Sequence, residues 1–273
     1  LLVALKQAGY RPTGVFDVLR DRALELGRQL GCPGLAGSPE LLARSREADI
    51  VIVATPDADI ERVARLAVSC EASHEHQVWL HLAGARDESA LDALKGHVQG
   101  TAACHPACAF PHGRISPIPK GTCFGLTGDE AALRVARGLV AALDGVPVEV
   151  PAESRARYHA AAVMASNLVV ALLFAAKDVL HGLGVEANDA ERLVLALGQS
   201  ALERVAELGL REGLSGPVSR GDAQTIETHL DSLGQEGARA LYLELSRAAL
   251  PLAAQQDGFD EKKVAALRRA LLM

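Results

Sequence analysis

The stretch ADIVIVATPD, Ala48 to Asp57, places four β-branched residues in succession, Ile50 to Val53, between an aspartate and a Thr-Pro-Asp turn. Residues that are apolar one after another, rather than alternately, suit a strand covered on both faces, the condition of a central strand in a parallel sheet. A helical pattern follows over Asp57–Val68, so the unit reads strand, turn, helix. Its turn, Ala54, Thr55 and Pro56, falls where open α/β sheets bind ligands, outside the carboxyl end of a strand. Thr55 as N-cap with Pro56 at the first helical position is equally an ordinary helix start.

The same rhythm extends both ways. Strands are predicted at Thr13–Asp17, Gln77–Leu82, Thr101–Cys104, Thr122–Leu126 and Val146–Val150, with helices at Arg20–Leu30 and Glu88–Leu94. Short β-branched runs alternating with helices predict parallel βαβ units. After VPAES the pattern becomes almost purely helical, over about 154–183, 187–208, 222–233, 236–256 and 260–272, with Gly182, Gly184, Gly209, Gly213 and Gly234 as punctuation. The expected organisation is a doubly wound dinucleotide-binding domain, residues 1–150, followed by an all-α domain, residues 151–273.

Composition narrows the function classes. With 34 acidic against 28 basic residues the formal charge is −6, which repels phosphate backbones, and aromatics at 3% offer few stacking platforms, so nucleic acid is not an expected partner. Five cysteines, an odd number spread through a chain of ordinary domain size, point to a reducing, cytoplasmic setting rather than a disulfide framework. The apolar run Ala160–Ala176 is shorter than the roughly 20 residues needed to span a bilayer. It contains Ser166 and Asn167 and is predicted to be a buried helix.

The opening LLVALKQAGY has helical spacing and a glycine stop but no capping residue. In a dinucleotide-binding fold a glycine turn joins the first strand to the first helix, and an acidic residue about 20 positions later bonds the ribose hydroxyls. Asp17 stands at the end of a predicted strand at that distance, which places the glycine turn and first strand just before Leu1. The opening helix is then the one whose N-terminus holds the pyrophosphate. Asp17 is otherwise a turn carboxylate. Arg20 and Arg22 suit a 2′-phosphate whereas Asp17 repels one, so NADP and NAD both stay open.

Chemistry-bearing residues concentrate in three places. TAACHPACAFPH, Thr101 to His112, holds Cys104, His105, Cys108 and His112. The spacing permits zinc, but adjacent Cys104 and His105 at a strand end point to opposite sides, so no metal is expected and the cysteines read as small apolar side chains. His105, before a proline at a strand end, is a candidate proton donor; its structural alternative is a bond to a loop carbonyl. In YHAAAVMASNLVVALL, His159, Ser166 and Asn167 share one helix face with Val163 and Val170, an imidazole and a carboxamide about 12 Å apart. They either bond neighbouring helices or line a cavity where the two domains meet. In GLSGPVSRGD, Arg220 and Asp222 contact substrate only if the turn folds back towards that cleft; otherwise Asp222 caps the next helix.

Taken in order, ADIVIVATPD, VWLHLAGA, CHPACAFP, YHAAAVMASN and GLSGPVSRGD resemble a family of Rossmann-like proteins with a helical C-terminal domain, domain of unknown function 2520. The resemblance covers nearly the whole chain and extends distantly to pyrroline-carboxylate and ketopantoate reductases. It implies an NAD(P)-dependent oxidoreductase and a glycine-rich loop ahead of a LxxALxxAGY-like helix, with Leu1 an interior residue. Where relatives carry Thr and Ser after the strand-end histidine, this chain has Leu82 and Ala83 after His81; Gly84 still allows close backbone approach.

The expectation is therefore hydride transfer between NADP or NAD and a small carbonyl or imine in the cleft between domains. Asp17, Arg20, Ala54, Thr55, Pro56 and Gly84 face the cofactor, His105 or His159 supplies a proton, Asn167 orients substrate, and Ser166, Arg220 and Asp222 contact it. The alternative is a sensor or scaffold that binds NAD(P) without turnover. The apolar face Leu168–Ala176 is expected either to form a homodimer through the helical domain or to be internal core.

Overall fold

The computed structural model describes residues 1–36, 45–110, 117–233 and 237–272; His112 and Gly234 lie outside them. Strand β4 (Val78–His81) is buried along its whole length, and the reason is visible in its alternation. Val78 and Leu80 point into one apolar cluster with Cys104, Phe124, Leu126 and residues of α4 (Glu130–Ala142). Trp79 points into another with Val53, Leu91 and residues of α3 (Ile60–Ser69). Both faces are covered, as a doubly wound sheet requires.

Five strands form this sheet in the order β3-β4-β5-β6-β7, from β3 (Ile50–Val53), β5 (Gly100–Pro106), β6 (Cys123–Gly128) and β7 (Val146–Glu149) with β4. Every neighbouring pair is parallel except β5 and β6, which run antiparallel, so the expected run of parallel units is interrupted once. Among the described residues no helix stands between β5 and β6, and an antiparallel neighbour needs none. A second, two-stranded parallel sheet pairs β1 (Val15–Asp17) with β2 (Gly34–Ala36), and Phe16 of β1 packs against the Trp79 cluster. Helix α1 (Leu2–Gln7) buries Leu5 in the opposite cluster.

Helix α2 (Arg20–Leu30) has the predicted bounds and ends on left-handed Gly31. The helix after β3 starts instead as a 3-10 turn, Asp57–Asp59, before α3, and no side chain caps it, so Thr55 is not an N-cap. Glu88–Leu94 is also 3-10, capped by the Asp87 carboxylate accepting from the Ser89 N–H at 3.1 Å. β2 and α4 are additional to the predicted elements.

The chain divides into two compact units, Leu1–Ser166 and Asn167–Met273. The first therefore includes α5 (Arg155–Ala165), a helix that the composition change at 151 assigned to the helical part. The run expected to be one rod is interrupted at Ser166 (φ −128°, ψ −76°), and α6 (Asn167–Gly182) begins the second unit. His159 and Asn167 consequently lie on separate helices.

In the second unit, α7 (Ala187–Gly213) kinks at Gly209, and α8 (Pro217–Arg220), α9 (Ala223–Ser232), α10 (Gly237–Ala253) and α11 (Glu261–Ala270) follow. The core gathers Val218, Ile226, Leu230, Leu250 and Leu267. α6 contributes no buried residue: Leu168, Val170, Leu172 and Phe174 are exposed, Val170 by 68%, contrary to the expected buried helix. Ala152–Gly182 is, by length and composition, apolar enough to cross a membrane.

Candidate active site

The site grows from the carboxyl ends of β4 and β5. His81 closes β4 fully buried and spends both ring nitrogens on the loop that follows: Nδ1 accepts from the Ala83 N–H at 3.2 Å and Nε2–H donates to the Asp87 carbonyl at 2.8 Å. Burial pushes its pKa down, which keeps it neutral and structural.

That loop is held again from the other side. Arg155, only 1% exposed, donates from Nε to the Arg86 carbonyl (3.0 Å), from Nη1 to the Gly125 carbonyl (3.1 Å) and from Nη2 to the Ala83 carbonyl (2.7 Å). One guanidinium thus ties the β4 loop and β6 to the start of α5. Sequence reasoning missed Arg155. A signal existed, because a cation in the first turn of a helix has the wrong sign for the macrodipole and needs another reason to be there.

On β5 the side chains alternate. Cys104 faces the Leu80 cluster, where burial pushes its thiol up to about 12, so it is an inert apolar side chain at neutral pH. Burial also raises the Cys108 thiol. His105 faces the other way, as the separation of adjacent residues demanded. Among the described residues no group of three His, Cys, Asp or Glu side chains is placed to share a metal ion.

His105 Nδ1 lies 3.0 Å from the Tyr158 hydroxyl, and the two rings meet edge-on at 86°. Directly across the ladder from His105 is Gly125, where a β-carbon would sit 2.5 Å from the Tyr158 oxygen. Glycine there lets the phenol reach the imidazole. His159, the next residue on α5, turns its ring edge-on to His105 with centroids 5.6 Å apart. Its Nδ1 is buried without a hydrogen-bond partner among the described residues. Gly84 lies buried beneath both rings: a β-carbon on it would be 2.2 Å from His159 Nδ1 and 3.0 Å from His105 Nε2. Burial, then the Arg155 and His159 charges, hold His105 down at about 4, so its imidazole is neutral at pH 7. Near neutrality the proton that His105 can offer is therefore the single N–H of its neutral ring.

The other candidates fall in several places. Asp17 ends β1, and its Oδ1 accepts from the Leu19 N–H at 2.7 Å, the turn role offered as its alternative. Arg20 is exposed at the start of α2. Ala54, Thr55 and Pro56 are exposed immediately past the carboxyl end of β3. Ser166 Oγ donates to the Ala162 carbonyl at 2.8 Å, and Asn167 opens α6. Arg220 ends α8, while Asp222 caps α9, accepting from the Thr225 N–H (3.1 Å) and hydroxyl (2.7 Å). A cleft of about 380 Å3 lined by Glu88, Thr127, Glu149 and Val150 contains none of the His105, Tyr158 and His159 rings.

His105 lies near the carboxyl end of β5, the edge at which open α/β folds bind ligands, and comparison with known proteins agrees on the fold. Residues 122–249 match the family described as domain of unknown function (DUF2520). The DUF2520 region runs from β6 into α10 and so includes Tyr158, His159, Asn167 and Asp222. Over the whole chain the fold is Rossmann-like with a helical C-terminal part. It is similar to protein TM1727 from Thermotoga maritima, at 25% identity and TM-score 0.72, covering 92% of this chain and 94% of that one. It also resembles the pyrroline-5-carboxylate reductase of Coxiella burnetii, at 18% identity and TM-score 0.59 over 93% and 92% of the two chains. A third neighbour is the Plasmodium falciparum pyrroline carboxylate reductase with NADP bound, at 12% identity and TM-score 0.56 over 91% and 92%. No curated protein sequence matches the chain.

Proposed function

We propose that this protein is an oxidoreductase that moves hydride between NADP or NAD and a small carbonyl or imine substrate. The observation that carries the reading is the convergence of His105 Nε2 and His159 Nδ1 over side-chain-free Gly84, at the carboxyl edge of a dinucleotide-type sheet. Reductases with pyrroline-carboxylate substrates among the fold's neighbours support it.

The described residues fit a dinucleotide. Asp17 Oδ2 has no partner among them and would take ribose hydroxyls, with Arg20 beside it for a 2′-phosphate. Ala54, Thr55 and Pro56 give an exposed shelf poor in bulky side chains, and Gly84 keeps the loop close to the two imidazoles. The nicotinamide, when bound, supplies the hydride; the protein orients, excludes water and moves a proton. His105 and His159 belong to that proton path. A contact of Ser166 with substrate is part of the same proposal.

The exposed apolar faces of α6 and α7, including Leu168, Val170, Phe174, Leu197 and Leu202, are assigned to a homodimer. A bilayer is the weaker reading, because the run is divided at Ser166 into α5 and α6, of 11 and 16 residues, each short of the roughly 20 that span. Five free cysteines accord with the cytoplasm.

The test is ligand-induced stabilisation followed by turnover. NADPH or NADH at about 100 times its Kd contributes roughly 2.7 kcal/mol, a readily measured rise in Tm. Oxidation of the bound cofactor by cyclic imines or 2-oxo acids, lost when both His105 and His159 are replaced, supports the assignment. Binding without turnover on any substrate would favour a sensor, and no stabilisation by either nucleotide sinks the proposal.

A further inference from the structure

We propose that Tyr158 is the proton reservoir of this site: its O–H passes a proton to His105 Nδ1 while His105 Nε2–H delivers one to the substrate. This rests on the oxidoreductase reading and gives a residue outside the expected set a part that it plays through His105.

The geometry is specific to such a relay. Tyr158 and His105 are joined at 3.0 Å, and the phenol reaches that position only because Gly125, the cross-strand partner of His105, has no side chain. The opposite edge of the same imidazole, Nε2, looks over Gly84 towards His159, where the second ring closes the space. The two nitrogens of His105 therefore face two different places, one a proton source and the other the candidate reaction centre. The neutral ring can hold its single proton on either nitrogen. If Tyr158 O–H donates to Nδ1, that proton resides on Nε2, aimed at the substrate.

The step balances. As the carbonyl or imine carbon gains hydride from NAD(P)H, its heteroatom takes the proton from Nε2, so the Nε2–H bond breaks and an O–H or N–H bond forms. At the same time the Tyr158 O–H bond breaks and an Nδ1–H bond forms, and the imidazole remains neutral throughout. The negative charge left is a phenolate, and a cation is already in place for it: Arg155 Cζ lies 5.2 Å from the Tyr158 ring centroid. Every hydrogen bond that Arg155 makes among the described residues goes to a backbone carbonyl, and the Asp87 and Glu88 carboxylates act on its charge without a hydrogen bond to it. Its charge is thus available to the phenolate. Other groups whose charges reach the histidine are His159 and, more weakly, Asp57. Solvent protons restore Tyr158 between turnovers.

Two measurements decide it. In 15N-labelled protein, with His105→Gln identifying the signals, two-bond proton–nitrogen NMR at pH 7 is expected to find the His105 proton on Nε2, with Nδ1 as a hydrogen-bonded acceptor. Tyr158→Phe removes the hydrogen-bond shift at Nδ1 while the fold, read by the remaining amide spectrum, is kept. A proton on Nδ1 in the unaltered protein overturns the relay, whether or not cofactor binds. In turnover, Tyr158→Phe is expected to lower kcat by roughly 10²–10⁴-fold with unchanged NADPH affinity, whereas a kcat within twofold of the unaltered protein overturns it. If neither nucleotide stabilises the protein although the tautomer is as stated, the oxidoreductase reading has failed and the relay has lost its substrate; a wrong tautomer with intact nucleotide binding rejects the relay alone.

Discussion

Gly84 and His159 are in contact through positions where one has no side chain and the other has an unpaired nitrogen: a β-carbon on Gly84 would stand 2.2 Å from His159 Nδ1. The imidazole thus uses the glycine's α-carbon as its floor. Gly84→Ala must displace both this ring and that of His105, whose Nε2 would be 3.0 Å away. The expected cost is about 1–3 kcal/mol from overpacking, measured by urea unfolding, with loss of turnover exceeding loss of nucleotide affinity. Unchanged stability and turnover would show that the two rings are free to move.

Arg155 is the second test. Arg155→Met keeps an unbranched apolar stem and deletes the donors, leaving the Ala83, Arg86 and Gly125 carbonyls to find other partners. Orphaning buried acceptors is expected to cost about 3 kcal/mol or more in a urea titration. Arg155→Lys, with one ammonium in place of a three-way fork, should recover only part of the loss.

Stability should depend on pH through His105. Its folded value of about 4 lies below the ordinary 6.5, so the folded protein binds fewer protons than the unfolded chain between those values. Stability therefore rises with pH across that window and is lost as pH falls through it; the lowered value of His81 acts in the same direction. Allowing for partial exposure of the ring, His105 contributes roughly 2 kcal/mol of this dependence. Denaturation at pH 7 and pH 4.5 should show a smaller drop for His105→Asn than for the unaltered protein. Equal drops would mean that burial does not hold the ring neutral.

Asp222 separates capping from substrate binding. As the cap of α9 it accepts two bonds from Thr225, so Asp222→Ala should lower Tm by roughly 2–4 °C, and Asp222→Asn or Asp222→Ser should restore most of it. A fall in turnover that Asn and Ser do not rescue would give the carboxylate a role beyond the cap.

For the α6 face, Val170→Glu and Phe174→Glu place charges on side chains that are 68% and 60% exposed in the single chain. Sedimentation is expected to find a dimer for the unaltered protein and a monomer for the double variant, with Tm little changed if the core of the second unit is independent of that face. A monomer in both cases removes the homodimer assignment.

Much of this architecture follows from local pattern. Four successive β-branched residues, Ile50 to Val53, form the strand expected of them, although β3 lies at the edge of the described sheet rather than near its middle and only Val53 is buried, and α2 begins at Arg20 and stops at Gly31 because only a residue free to take φ 67° ends it cheaply. Cys104 and His105 were separable without coordinates, since adjacent residues on a strand point to opposite faces. What the pattern did not contain was any relation across the sheet. That β6 turns antiparallel, that Gly125 stands opposite His105, and that Arg155 reaches three carbonyls in two distant segments are consequences of packing and register between elements far apart in the chain. The helix break at Ser166 likewise escaped a periodicity that continues on both sides of it. The protein's strands, helices and reactive residue types are written locally, whereas the partner of each reactive side chain, and hence its protonation state, is set by tertiary contacts, because desolvation and hydrogen bonding depend on what surrounds a group rather than on its neighbours in sequence.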